Sequence, residues 1–173
     1  PVADQTVAAT TTDNDVAGFT VAQTGGSTSV SESGTTDTFT IVLNAQPASN
    51  VVIAMSSSDT GEATLSGTLS FTNANWNTPQ TVTVTGVDEN IIDGNQTSTI
   101  TITVVDAISD NDFDPVADQT VTATTTDDDV AGFTIAQTGG STSVAETGTT
   151  DTFTIVLDAQ PASNVVLTVT SSD

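Results

Sequence analysis

Apolar residues alternate with threonine and serine along most of the chain, in runs such as TFTIVL and TITITV. Alternation with a period of two indicates strands buried on one face, as in antiparallel sheets. No stretch shows the spacing of an amphipathic helix. The pattern predicts seven strands, A to G, over residues 18–30, 38–43, 51–56, 63–71, 81–85, 98–105 and 119–126. Strand A is expected to break at Gly25-Gly26, because paired glycines favour a turn.

The chain repeats itself with a period of 114 residues. Residues 1–59 recur as residues 115–173, with 49 of 59 positions identical. A repeat of this length is the size of a domain, so each copy is expected to have its own hydrophobic core. Seven short strands in such a unit indicate a β-sandwich. The predicted fold class is therefore all-β, a seven-stranded antiparallel β-sandwich in tandem repeats.

The repeat also predicts the domain boundaries. Residues 16–129 form one complete sandwich, residues 1–15 are the last strand and linker of a preceding copy, and residues 130–173 are strands A to C of a following copy. Because the chain begins in mid-pattern, we expect it to be part of a longer protein.

Composition narrows the possible partners. The 173 residues include 22 Asp and Glu but no Lys, Arg, His, Cys or Tyr, giving a formal net charge of −22. Side-chain salt bridges and disulfides are therefore impossible. Nucleic acid and anionic membranes are excluded as direct partners, since no basic side chain can contact phosphate.

The same composition argues against catalysis. Without His, Cys, Lys or Tyr, the usual general bases, thiol nucleophiles and Schiff-base formers are missing. A carboxylate pair or a metal site is the chemistry that remains. Asp59 and Asp88 could form a glycosidase pair, but no aromatic cleft surrounds them in the sequence pattern. We predict that the protein is not an enzyme.

Acidic residues concentrate at one end of the predicted sandwich. With strands running up and down, the AB, CD and EF loops and the end of strand G share one end, here called the C-terminal pole. Ten carboxylates fall there, namely Glu32, Asp37, Asp59, Glu62, Asp88, Glu89, Asp93, Asp127, Asp128 and Asp129. At the opposite, N-terminal pole, the acids of the FG loop are expected to face Asp13 and Asp15.

Like charges held close together repel unless a cation lies between them. Several oxygen ligands from flexible loops suit Ca²⁺ better than Mg²⁺, which requires a tighter octahedron. Zinc would require His or Cys. The alternative is that these residues are only solubilising surface acids, but such acids would be scattered over all loops.

The acidic motifs resemble the Calx-β repeat. Strand A ends in S-V-x-E at Glu32, an acid follows strand C at Asp59, the EF loop reads V-D-E-N-I-I-D, and the repeat closes in D-D-D. The resemblance implies an immunoglobulin-like sandwich that binds Ca²⁺ at the C-terminal pole. The ligand set predicted with it comprises Asp13, Asp15, Glu32, Asp59, Asp88, Glu89, Asp93, Asp127, Asp128, Asp129, Glu146 and Asp173.

The segment NWNTPQTVTVTGVD is similar to the repeats of giant bacterial surface adhesins of the RTX type. This resemblance implies a secreted, cell-surface protein in which each copy is an extender that contacts neighbouring repeats and is rigidified by Ca²⁺ at the junctions. The alternative is a repeat that makes the functional contact itself, as a filament subunit that self-associates into fibres or as a glycan- or ice-binding module with threonine-rich strands.

Overall fold

A computed structural model describes residues 1–172 of the chain. Its strands are β1 (Phe19–Gln23), β2 (Thr28–Ser31), β3 (Thr36–Leu43), β4 (Val51–Ser57), β5 (Ala63–Leu65), β6 (Leu69–Phe71), β7 (Gln80–Gly86), β8 (Gln96–Val104), β9 (Gln119–Thr126), β10 (Phe133–Gln137) and β11 (Phe153–Leu157). Short 3₁₀ turns lie at Thr24–Gly26, Asp106–Ile108, Asn111–Phe113 and Thr138–Gly140. Among the described residues, no helix is long and apolar enough to cross a membrane.

Strands β1 to β9 form a two-sheet sandwich. One sheet has the order β1-β3-β7-β5 and the other the order β2-β9-β8-β4-β6. Buried positions alternate along the central strands, and cross-strand pairs such as Phe39 with Val82 and Ile100 with Val121 keep the apolar side chains on the inner face. The predicted all-β sandwich is therefore confirmed. Its register is fixed by the alternation, since a slip of one residue would turn the apolar side chains of a strand to the outer face.

Strands A and D each divide between the two sheets. The predicted break in strand A is confirmed, with Gly25 and Gly26 at φ 69° and 85°. Strand D was predicted as continuous over residues 63–71; instead, β5 pairs with β7, β6 pairs with β4, and residues 66–68 cross between the sheets. The seven predicted strands are thus nine segments within residues 16–129.

One pairing corrects the purely antiparallel prediction. After the Gly25-Gly26 break, β2 runs beside β9 in parallel, from Thr28 opposite Ala123 to Ser31 opposite Thr126. Because the chain changes sheets without reversing direction at the break, β2 lies parallel to the last strand of the same repeat.

The core lies between the two sheets of residues 16–129. Its largest fully buried apolar side chains are Phe39, Phe71, Phe113, Ile41, Ile53, Ile100 and Ile102. Trp76 packs against this core at the N-terminal pole, and its carbonyl accepts a hydrogen bond from the Leu43 amide at 3.1 Å.

The flanking segments are less complete. Residues 1–18 contain no strand, although residues 1–15 were predicted to include one. The equivalent residues of the next copy, 114 positions later, form β9, which pairs with β2 and β8. Strands β10 and β11 pair in the register of β1 and β3, shifted by 114 residues. The third strand predicted in residues 130–173 is not formed in residues 158–172, which lack the neighbouring strands that β4 uses. The predicted domain boundaries stay predictions.

Candidate metal centre

Three chain segments meet where β2, β7 and β9 end, at the C-terminal pole. The Glu32 amide, directly after β2, donates to the carbonyl of Thr126 at the end of β9, at 3.1 Å. Strand β7 ends at Gly86, where a Cβ atom would collide with the Ser31 carbonyl oxygen of β2. Since only glycine permits this approach, the loop after β7 begins beside Glu32.

The loop between β7 and β8 folds back onto the residues that follow β9. The Gly94 amide donates to Asp127 Oδ2 at 2.8 Å, with Gly94 at φ 76°. The Asp127 amide in turn donates to Asn95 Oδ1 at 3.3 Å, and Asp127 Oδ1 accepts from the Asp129 amide at 2.8 Å. These hydrogen bonds place the acids of the loop next to those of the D-D-D segment.

Two groups of carboxylates result, and Glu32 belongs to both. Oxygens of Glu32, Asp127 and Asp129 lie within 4.8 Å of one another, as do oxygens of Glu32, Glu89 and Asp93. The Glu32 side chain is fully buried. It therefore lies between the two groups and could bridge two cations.

Four carboxylate oxygens at this pole are buried without a hydrogen-bond partner: Glu32 Oε1, Glu62 Oε2, Glu89 Oε1 and Asp129 Oδ2. A buried anionic oxygen is costly unless it is paired or coordinates a metal. Because the chain contains no basic side chain, no residue within it can supply the pairing charge. The two groups could hold a cation supplied from outside the chain.

Electrostatics at the four residues agree with this geometry. Burial raises the pKa of Glu32, Glu62, Glu89 and Asp129, and neighbouring acids raise each pKa further. At Glu89, for example, the charge of Asp93 is the largest Coulombic contribution. A cation among these oxygens would reverse both effects, because it favours the ionised form.

A buried carboxylate at the N-terminal pole provides a contrast. Asp110 is only 6% exposed, yet Asp110 Oδ2 accepts from the Ser49 amide at 2.6 Å and Oδ1 from the Asp112 amide at 3.1 Å. These backbone hydrogen bonds lower its pKa. Asp110 is therefore a structural residue, whereas the unpartnered acids of the C-terminal pole are candidate ligands.

The donor set fits a hard divalent cation. Every candidate ligand is a carboxylate oxygen, and the ligands come from three loops instead of one contiguous motif. Ca²⁺ accepts six to eight oxygens in variable geometry, and thus tolerates such a site. Glu32, Asp127 and Asp129 could hold one ion, and Glu32, Glu89 and Asp93 a second.

The predicted ligands at this pole fall into two classes. Five of them form the two groups just described. Three others lie close enough to raise the pKa of a group member: Asp59 acts on Glu89, Asp88 on Asp129, and Asp128 on Glu32. Asp59 Oδ1 also accepts from the Gly61 amide at 2.9 Å, which shapes the turn after β4.

The remaining predicted ligands lie elsewhere. Asp13 and Asp15 line a pocket at the N-terminal pole together with Asp112, one of the acids between β8 and β9. Glu146 is exposed in the segment between β10 and β11 and belongs to neither carboxylate group. Asp173 lies outside the described residues.

Glu62 is the residue that sequence reasoning left out of the ligand set, although it was placed at this pole. Its side chain is 6% exposed, and its carbonyl accepts from the Val87 amide at 2.9 Å. The available signal was its position directly before a buried alanine at the start of β5. Asp37, also placed here, instead accepts from the Ser29 and Thr38 amides.

No protein-family model matches the chain, and no curated protein sequence matches it. Among solved structures, the apo form of the Calx CBD1 domain aligns with a TM-score of 0.45 at 14% identity, over 64% of this chain and 98% of that one. Domains 1–6 of surface layer protein SbsC align with a TM-score of 0.46 at 19% identity, over 90% of this chain and 23% of that one. SSP-19 of Caenorhabditis elegans, an MSP-domain protein like family member, gives 0.38 at 18% identity, over 58% and 92%. Such likenesses concern the β-sandwich fold alone.

Proposed function

We propose that this chain is part of an extracellular extender array, in which each repeat binds Ca²⁺ at its C-terminal pole and the ions stiffen the junction with the next repeat. The observation that carries the proposal is the set of four buried, unpartnered carboxylate oxygens around the two groups that share Glu32. In a chain without any basic side chain, these oxygens require an external cation. The absence of general bases and thiols agrees with a structural role.

The position of the site explains how an ion would act on the junction. Asp127 and Asp129 belong both to the carboxylate groups and to the connection between β9 and β10. Residues 127–132 are the whole of that connection. A cation held by Asp129 and by the loops of the same repeat would therefore anchor the linker, because bending it would pull a ligand from the ion.

Calorimetric titration of the chain with Ca²⁺ and Mg²⁺ tests the binding step. We expect Ca²⁺ to bind to residues 16–129, Mg²⁺ to bind more weakly, and Glu32→Gln to impair both ions at once because Glu32 is shared. Asp106→Asn is the matched control, since it removes one exposed acid near the N-terminal pole. Equal Ca²⁺ binding by Glu32→Gln and the control would contradict the proposal.

A second function is favoured by one specific observation. On the outer face of the five-stranded sheet, Thr97 and Thr99 of β8 stand beside Thr124 and Thr122 of β9. Thr97, Thr99 and Thr122 are exposed and Thr124 is partly exposed, forming a row of hydroxyls that could bind ice or glycan. Thermal hysteresis or glycan binding that Thr99→Val and Thr122→Val alter, while Glu32→Gln leaves it unchanged, would support this alternative.

A further inference from the structure

The loop that supplies Glu89 and Asp93 also touches the following repeat. The carbonyl of Asn90 accepts a hydrogen bond from the Gln160 amide at 2.6 Å. Ile91 forms a parallel β-bridge with the same Gln160. The tip of the loop, residues 90–92, is thus attached to the segment that follows β11.

Ile92 adds an apolar contact to this attachment. It shares the wall of a pocket with Ala131, Ala159 and Pro161 of the following repeat. The same wall includes Leu157, Val165 and Leu167, whose equivalents Leu43, Val51 and Ile53 are buried in the core of the complete repeat, so that part of the pocket is uncovered core. Both Ile91 and Ile92 are half-buried, although they lie between acidic residues in the sequence. An isoleucine pair in an acidic loop is explained by a neighbour that covers it.

The complete repeat carries part of this surface at its own N-terminal pole. Ala45, Gln46 and Pro47 are the residues that precede Ala159, Gln160 and Pro161 by 114 positions. Ala45 and Pro47, with Ala17, Phe113 and Val116, line an open pocket of about 560 Å³, here called the socket.

We infer that the socket receives the Asn-Ile-Ile loop of a preceding copy of the repeat. The occupant is identified by the equivalent contact within this chain, where Asn90, Ile91 and Ile92 touch the equivalent surface of the following repeat. Asp13 and Asp15 also line the socket and precede Asp127 and Asp129 by 114 positions. The socket therefore adjoins the place where the acids of a preceding repeat would gather.

The inference rests on the proposed function and gives its junction a mechanism. Glu89 and Asp93 belong to a carboxylate group on the side of the loop that faces their own repeat. Ile91 and Ile92 make contact on the other side. Ca²⁺ bound by the acids would order the loop and thereby present the two isoleucines to the socket. Ion binding and the apolar contact would thus be coupled through one short loop.

The experiment uses the chain with its second repeat completed by adding residues 60–129 after residue 173, which yields two whole sandwiches and one junction. Ile91→Asn combined with Ile92→Asn removes the apolar tip, and Ile91→Val with Ile92→Val is the matched control. In Ca²⁺, residual dipolar couplings report the relative orientation of the two repeats, amide hydrogen exchange reports the Gln160–Asn90 bond, and calorimetry reports ion binding.

With the Asn pair, we expect the fixed orientation to be lost and the protection of the Gln160 amide to fall by about tenfold or more, while the Ca²⁺ affinity changes by less than about threefold. The Val pair should resemble the wild type in all three measurements. An Asn pair that keeps both the orientation and the protection would overturn the inference. If the wild type binds no Ca²⁺ and the Asn pair still loosens the junction, the contact between loop and socket is supported and the proposed role of Ca²⁺ is refuted.

Discussion

Replacing Glu32 with glutamine should move the melting temperature in opposite directions with and without Ca²⁺. Glu32 contributes to both carboxylate groups and has a buried oxygen without a partner. Glutamine keeps the shape and removes the negative charge. In chelator the variant should therefore melt at a higher temperature than the wild type, because a buried charge surrounded by other acids has been removed. In Ca²⁺ it should melt at a lower temperature.

The size of the Ca²⁺ effect follows from mass action. An ion that binds only the folded state, at a hundredfold excess over its dissociation constant, adds about 2.7 kcal/mol to the free energy of unfolding. Two ions around Glu32 would add about 5 kcal/mol. At about 4 °C per kcal/mol for a domain of this size, the wild type should gain about 20 °C. Glu32→Gln should lose most of that gain.

Differential scanning calorimetry of both proteins, in excess chelator and in millimolar Ca²⁺, measures the four melting temperatures. Asp106→Asn controls for the loss of one negative charge and should show nearly the wild-type gain. Coincident melting curves of the wild type in chelator and in Ca²⁺ would refute the reasoning. So would a Glu32→Gln variant that retains the whole gain.

Three further predictions follow from the same pole and its surroundings. Gly86→Ala should destabilise the fold by about 1–3 kcal/mol in urea unfolding, because its Cβ would meet the Ser31 carbonyl; Gly67→Ala, with open space around it, should have little effect, and equal losses would contradict the close approach. In chelator, stability should fall as the pH rises from about 4 towards 7. The pKa values of buried acids such as Glu32 and Asp129 are raised above their ordinary values of 4.5 for Glu and 3.8 for Asp. Above those ordinary values the unfolded state has released protons that the folded state still binds, so a rise in pH favours unfolding. Denaturation midpoints measured across this pH range check the sign of the effect, which saturating Ca²⁺ should reverse. Glu62→Gln should raise the melting temperature in chelator and weaken Ca²⁺ binding measured by calorimetry, and unchanged binding would exclude Glu62 as a ligand.

Much of the sandwich could be predicted because its strands alternate strictly. Phe39, Ile41 and Leu43 are all buried, as their spacing requires. The splitting of strand D could not be predicted in the same way, since residues 63–71 keep a strand-like composition across the point where the chain changes sheets. The parallel pairing of β2 also depends on which sheet the chain joins after Gly26, and alternation carries no information on that choice.

The acidic pole was predictable for a different reason. Because the seven predicted strands alternate in direction, loop order alone brings Glu32, Glu89 and Asp129 to one end of the sandwich. What the sequence does not contain is the hydrogen bonding that separates ligands from structural acids. Asp37 and Asp110 have both oxygens occupied by backbone amides, whereas Glu62 does not. That distinction arises from backbone conformation in the turns.

In the proposed array, the parallel pair of β2 and β9 would determine how a repeat responds to being pulled. Tension would enter each sandwich near its first residues and leave near its last, and would draw the two strands past each other along their length. Thr28 to Ser31 are held against Ala123 to Thr126 by a continuous ladder. Under this shear the hydrogen bonds between the two strands share the load and must break together, whereas the hydrogen bonds of a hairpin pulled apart from one end break one after another. Glu32 and Asp127 directly follow these two strands, so an ion bound there would lie at the end of the pair of strands that bears the force.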